Sequence, residues 1–319
     1  MSSQSRCRED THMKTIACLV TCLVLASPAL AADPVRPPIT GVSHIGLYAA
    51  DADKSEAFYT HDLGATKGSD PENPGGTRYY FSPVQFVEVL PLPAGPASKN
   101  RLDHVAFATT DAEGLRKYLA SRKVSVPAKV SKGDDGSLWF SVNDPEGNRV
   151  EFVQAPANPP AMPVNALAGH IIHVGFIVHN RSREDAFYRD ILGFRPYWFG
   201  GFKADDPTWI SQQVPDGTDW LEYMLVSGPE TTGIPADMPQ KTAGILNHFS
   251  LGVPNTRDTY TVLWNGDRLK EQSETPKIGM DAKWQLNLID PDGTRAEVME
   301  FHAIGKPCCS PFTATDPEK

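Results

Sequence analysis

The chain has 319 residues, of which 40% are hydrophobic and 22% are charged, and its formal net charge is −9 with an isoelectric point near 5.5. This length and composition fit two globular domains, each large enough to bury a hydrophobic core. The sequence has no basic stripe, so nucleic acid is excluded as an expected partner.

The first 32 residues are predicted to form an N-terminal extension and an export signal. Lys14 precedes the apolar run IACLVTCLVLA, and Ala29-Leu30-Ala31 matches the small-residue pattern of a cleavage site. The apolar run is short for a bilayer span. We therefore expect an exported protein, periplasmic or secreted, with no integral membrane segment in the mature chain.

Cysteine usage agrees with export. Cleavage would remove three of the five cysteines, namely Cys7, Cys18 and Cys22. The adjacent Cys308 and Cys309 would remain in a Pro-rich segment, residues 304–319, which is predicted to be a flexible tail. This pair is also a candidate for metal binding or for an intermolecular disulfide. A mature core without thiols suits an oxidising compartment.

An internal repeat organises the rest of the chain. HIGLYAADADKSEAFYTHDLGA begins at His44, and HVGFIVHNRSREDAFYRDILGF begins at His173. Each segment predicts a strand, then a helix containing AFY, then a Leu-Gly pair that ends the helix. Later segments match as well, because NDPEGNRVEF and IDPDGTRAEV both place a tight DP-x-G turn before a strand.

Each repeat itself consists of two similar units. Every unit is predicted to run strand, helix and then several strands, so the fold class is α+β. Pro-rich linkers separate the units, and APANPPAMPVN separates the two halves. We assign residues 40–156 to a first domain and residues 168–303 to a second.

A histidine near the start and a glutamate near the end recur in all four units. A carboxylate in an apolar strand is unfavourable unless it is paired, protonated or bound to a metal. Four such placements, each with an imidazole partner, predict metal binding. The four pairs are His44 and Glu88, His104 and Glu151, His173 and Glu222, and His248 and Glu297.

The strand histidines, the DP-x-G turns and the late glutamates resemble the vicinal oxygen chelate superfamily, which includes glyoxalases, bleomycin-resistance proteins and extradiol dioxygenases. The resemblance implies tandem modules, each of two βαβββ units that form a partly open, cupped mixed β-sheet barrel with helices outside. It implies one ligand set of His44, Glu88, His104 and Glu151. It implies a second set of His173, Glu222, His248 and Glu297. Pairing of the first unit with the fourth would instead give His44, Glu88, His248 and Glu297.

The ligand chemistry suits a divalent metal ion such as Fe, Zn, Ni, Co or Mn. In a glyoxalase-type isomerase or lyase, the metal polarises substrate oxygens and a glutamate beside it moves a proton between neighbouring carbons. The resemblance assigns this catalytic role to Glu151 and Glu297. The substrate is expected to be a small molecule, and the protein is expected to be a monomer or a homodimer.

Two other functions stay open at this point. The first is an Fe(II)-dependent extradiol-type dioxygenase, but the tyrosine of that family signature is replaced by Ser141 and Asn287. The second is a non-catalytic binding or resistance protein. Arg78, Arg149 and Arg295 are candidates to hold an anionic substrate, or are solvated side chains. Eight aromatic residues in the second half are candidates to line an apolar pocket or to pack in the core: Tyr197, Trp198, Phe199, Phe202, Trp209, Trp220, Tyr223 and Trp284.

Overall fold

A computed structural model describes residues 34–94, 100–226, 234–235, 237–239 and 243–319. The predicted N-terminal extension and export signal lie outside the described residues. Within the described part of the chain, no helix is both long enough and apolar enough to cross a membrane.

The first module is an eight-stranded mixed sheet. Its strands are β1 (Ile39–Ala49), β2 (Thr66–Ser69), β3 (Thr77–Ser82), β4 (Gln85–Pro91), β5 (Leu102–Thr109), β6 (Ser131–Lys132), β7 (Leu138–Asn143) and β8 (Arg149–Gln154). Its helices are α1 (Ala52–Glu56), which continues into a π-helical turn (Ala57–Asp62), and α2 (Ala112–Ser121). The strand order is β2-β3-β4-β1-β5-β8-β7-β6, with β1 antiparallel to β5 at the centre.

The second module repeats this arrangement. Its strands are β9 (Ile171–Val178), β10 (Arg195–Gly200), β11 (Trp209–Gln213), β12 (Trp220–Leu225), β13 (His248–Val253), β14 (Lys277–Ile278), β15 (Trp284–Ile289) and β16 (Arg295–Glu300). Its helices are α3 (Arg181–Asp185) with a π-helical turn (Ala186–Ile191), a 3₁₀ turn (Gly244–Leu246) and α4 (Thr256–Asn265). The strand order is β10-β11-β12-β9-β13-β16-β15-β14.

These two sheets confirm the predicted α+β fold of tandem cupped modules built from βαβββ units. The first unit pairs with the second and the third with the fourth, because β1 joins β5 and β9 joins β13. The alternative pairing of the first unit with the fourth is therefore not formed in the sheets. Gly64 and Gly193 have φ values of 73° and 82° where the helices end, as the Leu-Gly pairs predict.

A single hydrophobic core runs through both modules. On one face of each sheet, alternate strand residues are buried against the helices, and Val105 and Phe107 on β5 are examples. The core crosses from one module to the other, since the ring of Phe107 lies 5.1 Å from that of Phe194. The opposite face of each sheet carries the histidines and glutamates of the repeat.

Reciprocal hydrogen bonds join the modules at the DP-x-G turns. The Tyr59 hydroxyl donates to Asp290 Oδ2 at 2.9 Å, and the Tyr188 hydroxyl donates to Asp144 Oδ2 at 3.3 Å. Each tyrosine belongs to the AFY motif of one module, and each aspartate begins the turn of the other. The two motifs therefore form one inter-module contact, used twice.

The C-terminal segment lies against the second module, where the sequence predicts a flexible tail. The Phe312 ring lies 5.0 Å from that of Tyr197, and the Thr313 amide donates to the Tyr197 carbonyl at 3.0 Å. The buried Lys283 ammonium contacts Asp316 Oδ1 at 3.0 Å. Apolar packing and a buried ion pair order this segment. Cys308 and Cys309 form a disulfide with each other, an arrangement that the sequence analysis did not consider.

The inter-module hydrogen bond predicts a stability loss in Tyr59→Phe. Removing a hydroxyl that donates to a buried carboxylate is expected to lower the free energy of unfolding by about 1.5–3 kcal/mol. Tyr188→Phe is the matched variant, and its longer bond predicts a smaller loss. Urea titration followed by circular dichroism measures both values. A Tyr59→Phe loss below that of Tyr188→Phe would contradict the ranking.

Asp290 predicts a pH dependence of stability. Burial raises the pKa of its carboxyl from 3.8 to about 6. The folded state then holds this proton more tightly than the unfolded state, so the contribution is full below about pH 4 and is lost as pH rises through about 6. Relative to Asp290→Asn, the wild type is expected to lose about 2–3 kcal/mol of unfolding free energy between pH 4 and 7. Parallel curves for the two proteins in urea titrations across this range would refute the prediction.

Candidate metal centres

The register of the central strands brings two histidines together in each sheet. Side chains alternate between the faces of a strand, so residues two apart share a face. In the first module, His104 on β5 lies opposite Gly46 on β1, and Ala106 lies opposite His44. Each imidazole thus has a small residue across from it and extends over that residue toward the other imidazole.

The glutamates come from the strands that flank this central pair. Glu88 on β4 lies beside Gly46, and Glu151 on β8 lies beside Ala106, both in parallel register. The second module uses the same registers, with Glu222 beside Gly175 and Glu297 beside Ser250. Two parallel strand pairs around one antiparallel pair therefore place two imidazoles and two carboxylates on a single face.

A glycine opposite one histidine is required in each module. A Cβ atom on Gly46 would lie 2.3 Å from His104 Cε1, and one on Gly175 would lie 2.2 Å from His248 Cε1. Both distances are far inside van der Waals contact, and both rings are buried. The His-x-Gly sequences of β1 and β9 carry this signal, but the sequence analysis did not interpret it.

In the first module the four predicted ligands meet. His44 Nε2 lies 2.7 Å from His104 Nε2 and 3.6 Å from Glu151 Oε1, and His104 Nε2 lies 3.8 Å from Glu88 Oε2. All four side chains are fully buried. Burial lowers the pKa of both histidines, most strongly that of His44, where the neighbouring His104 adds to the effect. Neutral imidazole is the form that binds a metal.

This first set has the features of a cation site. Glu88 Oε2 and Glu151 Oε1 are buried without a hydrogen-bond partner among the described residues, and they are the carboxylate atoms nearest the two imidazoles. Burial, with other carboxylates nearby, raises the pKa of both glutamates, to about 9 for Glu88. A divalent ion held by these atoms would satisfy both oxygens and offset the repulsion, so the donor set fits a metal.

The loop between β2 and β3 closes the first site. Asn73 Nδ2 donates to Glu88 Oε1 at 3.1 Å. The Arg78 guanidinium lies 4.2 Å above the Phe86 ring and forms ion pairs with Asp70 at 3.3 Å and Glu72 at 2.5 Å. None of the four predicted ligands lines a cavity described in the first module. Glu72, which no repeat in the sequence marks, joins His44 and Glu88 in a further group of possible ligands.

The second module brings its four predicted ligands together as well. His173 Nε2 lies 3.1 Å from His248 Nε2 and 3.2 Å from Glu297 Oε2, and His248 Nε2 lies 3.3 Å from Glu222 Oε2. His248 Nδ1 lies 3.0 Å from the Leu246 carbonyl oxygen, to which it donates. This hydrogen bond leaves the lone pair of Nε2 directed at the site. The stacked Trp220 ring, 4.5 Å away, holds His173 in place.

The second site opens into a cavity of about 310 Å³, and this distinguishes it from the first. Glu222 and Glu297 both line this cavity. The loop after β10 contributes Phe202 to the wall. At the equivalent place in the first module, Glu72 lies beside His44 and Glu88 and pairs with Arg78. The second site is therefore accessible to a small molecule, while the first is enclosed.

The eight predicted pocket aromatics divide into two groups. Trp198, Phe202 and Trp209 line the cavity of the second module. The other five do not line it. Tyr197 and Trp220 pack with the C-terminal segment instead, in a cluster that contains Phe312.

One substitution between the modules changes how the sites are supported. In the first, Asp103 Oδ2 accepts a hydrogen bond from His104 Nδ1 at 2.7 Å and pairs with Arg149 at the same distance. The second module has Asn247 at the equivalent position, and its histidine is held by a backbone carbonyl. LDH and LNH differ by one residue in the sequence, yet this change frees Arg295, the counterpart of Arg149.

The fold and the paired His/Glu groups define a protein of two similar modules, each with a candidate metal site. The chain belongs to the Glyoxalase/Bleomycin resistance protein/Dioxygenase superfamily, whose family model matches residues 41–152 and 170–298. A comparison with curated protein sequences gave no match.

Solved structures share the fold at low sequence identity. The Mn(II)-bound glyoxalase from Novosphingobium aromaticivorans is 17% identical with a TM-score of 0.61, over 83% of each chain. A catechol 2,3-dioxygenase is 15% identical with a TM-score of 0.61, over 87% of this chain and 91% of that one. Homoprotocatechuate 2,3-dioxygenase from Brevibacterium fuscum, in complex with 3,4-dihydroxyphenylacetate, is 17% identical with a TM-score of 0.61, over 84% and 82%. These likenesses establish the fold.

The close approach of strand and imidazole predicts the effect of Gly175→Ala. The added methyl displaces the His248 ring, at a cost of about 1–3 kcal/mol, and is expected to weaken metal binding at the second site roughly 10- to 100-fold. Gly46→Ala is the matched variant and should weaken only the first site. Elemental analysis after dialysis against a metal buffer measures the metal bound per chain in both variants. Retention of two metal ions per chain at wild-type affinity in both variants would contradict this account.

Proposed function

We propose that this protein is a divalent-metal-dependent enzyme that acts on a small organic substrate in its second module, by glyoxalase-type isomerase or lyase chemistry. One observation carries the proposal: the second-module group of two histidines and two glutamates meets a cavity that Glu222 and Glu297 line. A metal site that catalyses needs access for substrate, whereas a structural site is enclosed.

The residues of the second site would have two roles, metal binding and proton transfer. His173, His248 and Glu222 would hold the metal, which when bound supplies Lewis-acid polarisation of the substrate oxygens. Glu297, a fourth ligand, also faces the cavity, so its carboxylate is placed to remove a proton from one substrate carbon and return it to the next. The apolar wall of the cavity limits water around the reacting atoms.

The first module has a supporting role in this proposal. Glu151 was predicted to be a second catalytic base, but its carboxylate accepts a hydrogen bond from Ser141 Oγ at 3.0 Å and is fully buried. We assign the enclosed set of His44, Glu88, His104 and Glu151 to a structural metal site. Bound there, a cation would stabilise the fold by compensating the buried carboxylates.

An Fe(II)-dependent oxygenase is the second candidate. His173, His248 and Glu297 form a two-histidine, one-carboxylate group, which is the ligand set typical of such enzymes. Two of the structural neighbours are 2,3-dioxygenases by name. Asn287 lines the cavity where the family signature places a tyrosine, and Glu222 adds a fourth ligand, so we favour the isomerase or lyase.

Export is part of the proposal. Sequencing the N-terminus of protein purified from the native host tests it directly. A mature chain that begins just after Ala31 is expected, and a chain that retains Lys14 would contradict export.

Metal removal and reloading test the proposed reaction. Protein stripped with a chelator and reloaded with Zn(II), Ni(II), Co(II), Mn(II) or Fe(II) is expected to incorporate deuterium from D₂O beside the carbonyl of α-hydroxy and α-oxo carbonyl compounds. Glu297→Gln should lower this exchange by about 10²–10⁴-fold, because the base is lost. Glu151→Gln is the matched variant and should retain exchange within a few fold.

The same samples separate the alternatives. Oxygen uptake on catechols by the Fe(II) form, with no deuterium incorporation, would replace the isomerase with the oxygenase. Absence of bound metal after reloading would contradict both the isomerase and the oxygenase proposals. Equal losses in Glu297→Gln and Glu151→Gln would contradict the assignment of the reaction to the second module.

A further inference from the structure

The cavity of the second module contains a guanidinium without an acidic partner. Arg295 lies on β16 two residues before Glu297 and opposite His248, and it lines the cavity. Its Nε atom is buried and has no hydrogen-bond partner, and the side chain forms no ion pair with the described residues. The side chain as a whole is half-buried, and a buried Nε without an acceptor is unfavourable, so a ligand that supplies an acceptor would bind there favourably.

In the first module, the arginine at the equivalent position has hydrogen-bond acceptors within the protein. Arg149 occupies the same strand position, and its guanidinium lies 2.7 Å from Asp103 Oδ2 and 3.3 Å from Glu151 Oε2. Its Nε donates to Ser141 Oγ at 3.1 Å. These three contacts within the protein occupy the guanidinium, so Arg149 is not available to bind an anion from solution. Arg78 is likewise held by its own acidic partners, Asp70 and Glu72.

The second module has lost two of these acceptors by substitution. Asn247 replaces Asp103, and its amide donates to Asn100 Oδ1 at 2.7 Å. Asn287 replaces Ser141, and its amide donates to Glu274 Oε2 at 3.0 Å. Neither asparagine makes a hydrogen bond to Arg295. Both modules have an arginine at this strand position, but the guanidinium of Arg295 is left available to a ligand that enters the cavity.

The contacts of the other charged lining residues leave Arg295 available to an anion. A divalent metal at the second site would be balanced by Glu222 and Glu297. Lys277 at the rim is already paired with Glu274 at 2.8 Å. Asp281, the remaining acidic residue of the lining, accepts a hydrogen bond from the Lys283 amide at 3.1 Å and forms no ion pair with Arg295.

Most of the remaining lining is apolar, with Gln285 and Asn287 as its polar members. Trp198, Phe202 and Trp209 provide aromatic faces, and three thioethers add to them, those of Met224, Met280 and Met299. Aromatic and methionine side chains bind flat apolar groups by close packing. The volume of about 310 Å³ suits a ligand of roughly one aromatic ring with a short polar group.

We propose that the second-module cavity binds a small carboxylate with an aromatic or similarly flat apolar body, and that Arg295 holds the carboxylate group. This inference rests on the proposed function, since it places the reacting oxygens of that substrate beside the metal ligands. Arg295 suits the task because a guanidinium fork binds the two oxygens of a carboxylate together.

A matched pair of probes tests the proposal. Phenylglyoxylate and its neutral amide are titrated into Zn(II)-loaded protein, with binding followed by tryptophan fluorescence and by calorimetry. The wild type is expected to bind the acid about 10- to 100-fold more tightly than the amide, the range of a charge-assisted hydrogen bond. In Arg295→Gln the acid should weaken by about that factor while the amide changes less than about threefold. Arg295→Lys should recover part of the preference.

Arg149→Gln, in the enclosed module, is the matched control and should leave the affinities for both probes unchanged. If Arg295→Gln binds the acid as tightly as the wild type while metal content is normal, the inference is overturned and the metal site stands. If elemental analysis shows no metal at the second site, the proposed function fails. The acid-to-amide ratio in wild type and Arg295→Gln then still decides the role of Arg295. Equal binding of acid and amide by the wild type would also overturn the inference.

Discussion

The antiparallel contact between the first strands of paired units is the constraint on which both sites depend. It places two imidazoles over a glycine and a small residue, with their Nε2 atoms 2.7 Å apart in one module and 3.1 Å apart in the other. The parallel neighbours β4, β8, β12 and β16 then add carboxylates on the same face. A divalent cation held between these groups would compensate the burial of the carboxylates, so the register of the sheet and the chemistry proposed for the site depend on each other.

Both modules share this strand contact, but the side chains around the two His/Glu groups differ. In the first module, Arg78 and Glu72 seal the ligands, and Asp103 engages both His104 and Arg149. In the second, Glu222 and Glu297 line a cavity whose wall includes Phe202 and Arg295. One candidate metal site is therefore enclosed and the other is open to a small molecule. Such a division allows function to vary at one site while the other maintains the fold.

The sequence predicts the repeated elements well because each element carries a local signal. The DP-x-G turns, the Leu-Gly helix ends and the alternation of strand residues all depend on neighbours in the chain. The pairing of units was left open, because the register of β1 against β5 is a long-range property that ligand composition does not determine. The contacts of Glu72 and Asn73 with the first site were also not predicted, because they depend on the conformation of the loop between β2 and β3. The C-terminal segment is not the flexible tail that its polar composition predicts. Phe312 and Asp316 contact the second module, and these contacts are not visible in the composition of the segment.

The central claim is that each pair of facing imidazoles is a metal site. Anomalous diffraction at the zinc edge, from crystals of Zn(II)-loaded protein, tests it most directly. We predict two peaks per chain, each about 2.0–2.2 Å from two histidine Nε2 atoms and from carboxylate oxygens of the same module. The peak in the second module should face the cavity. A chain that is folded and saturated with zinc in solution, but has no peak between His173 and His248, would contradict the account.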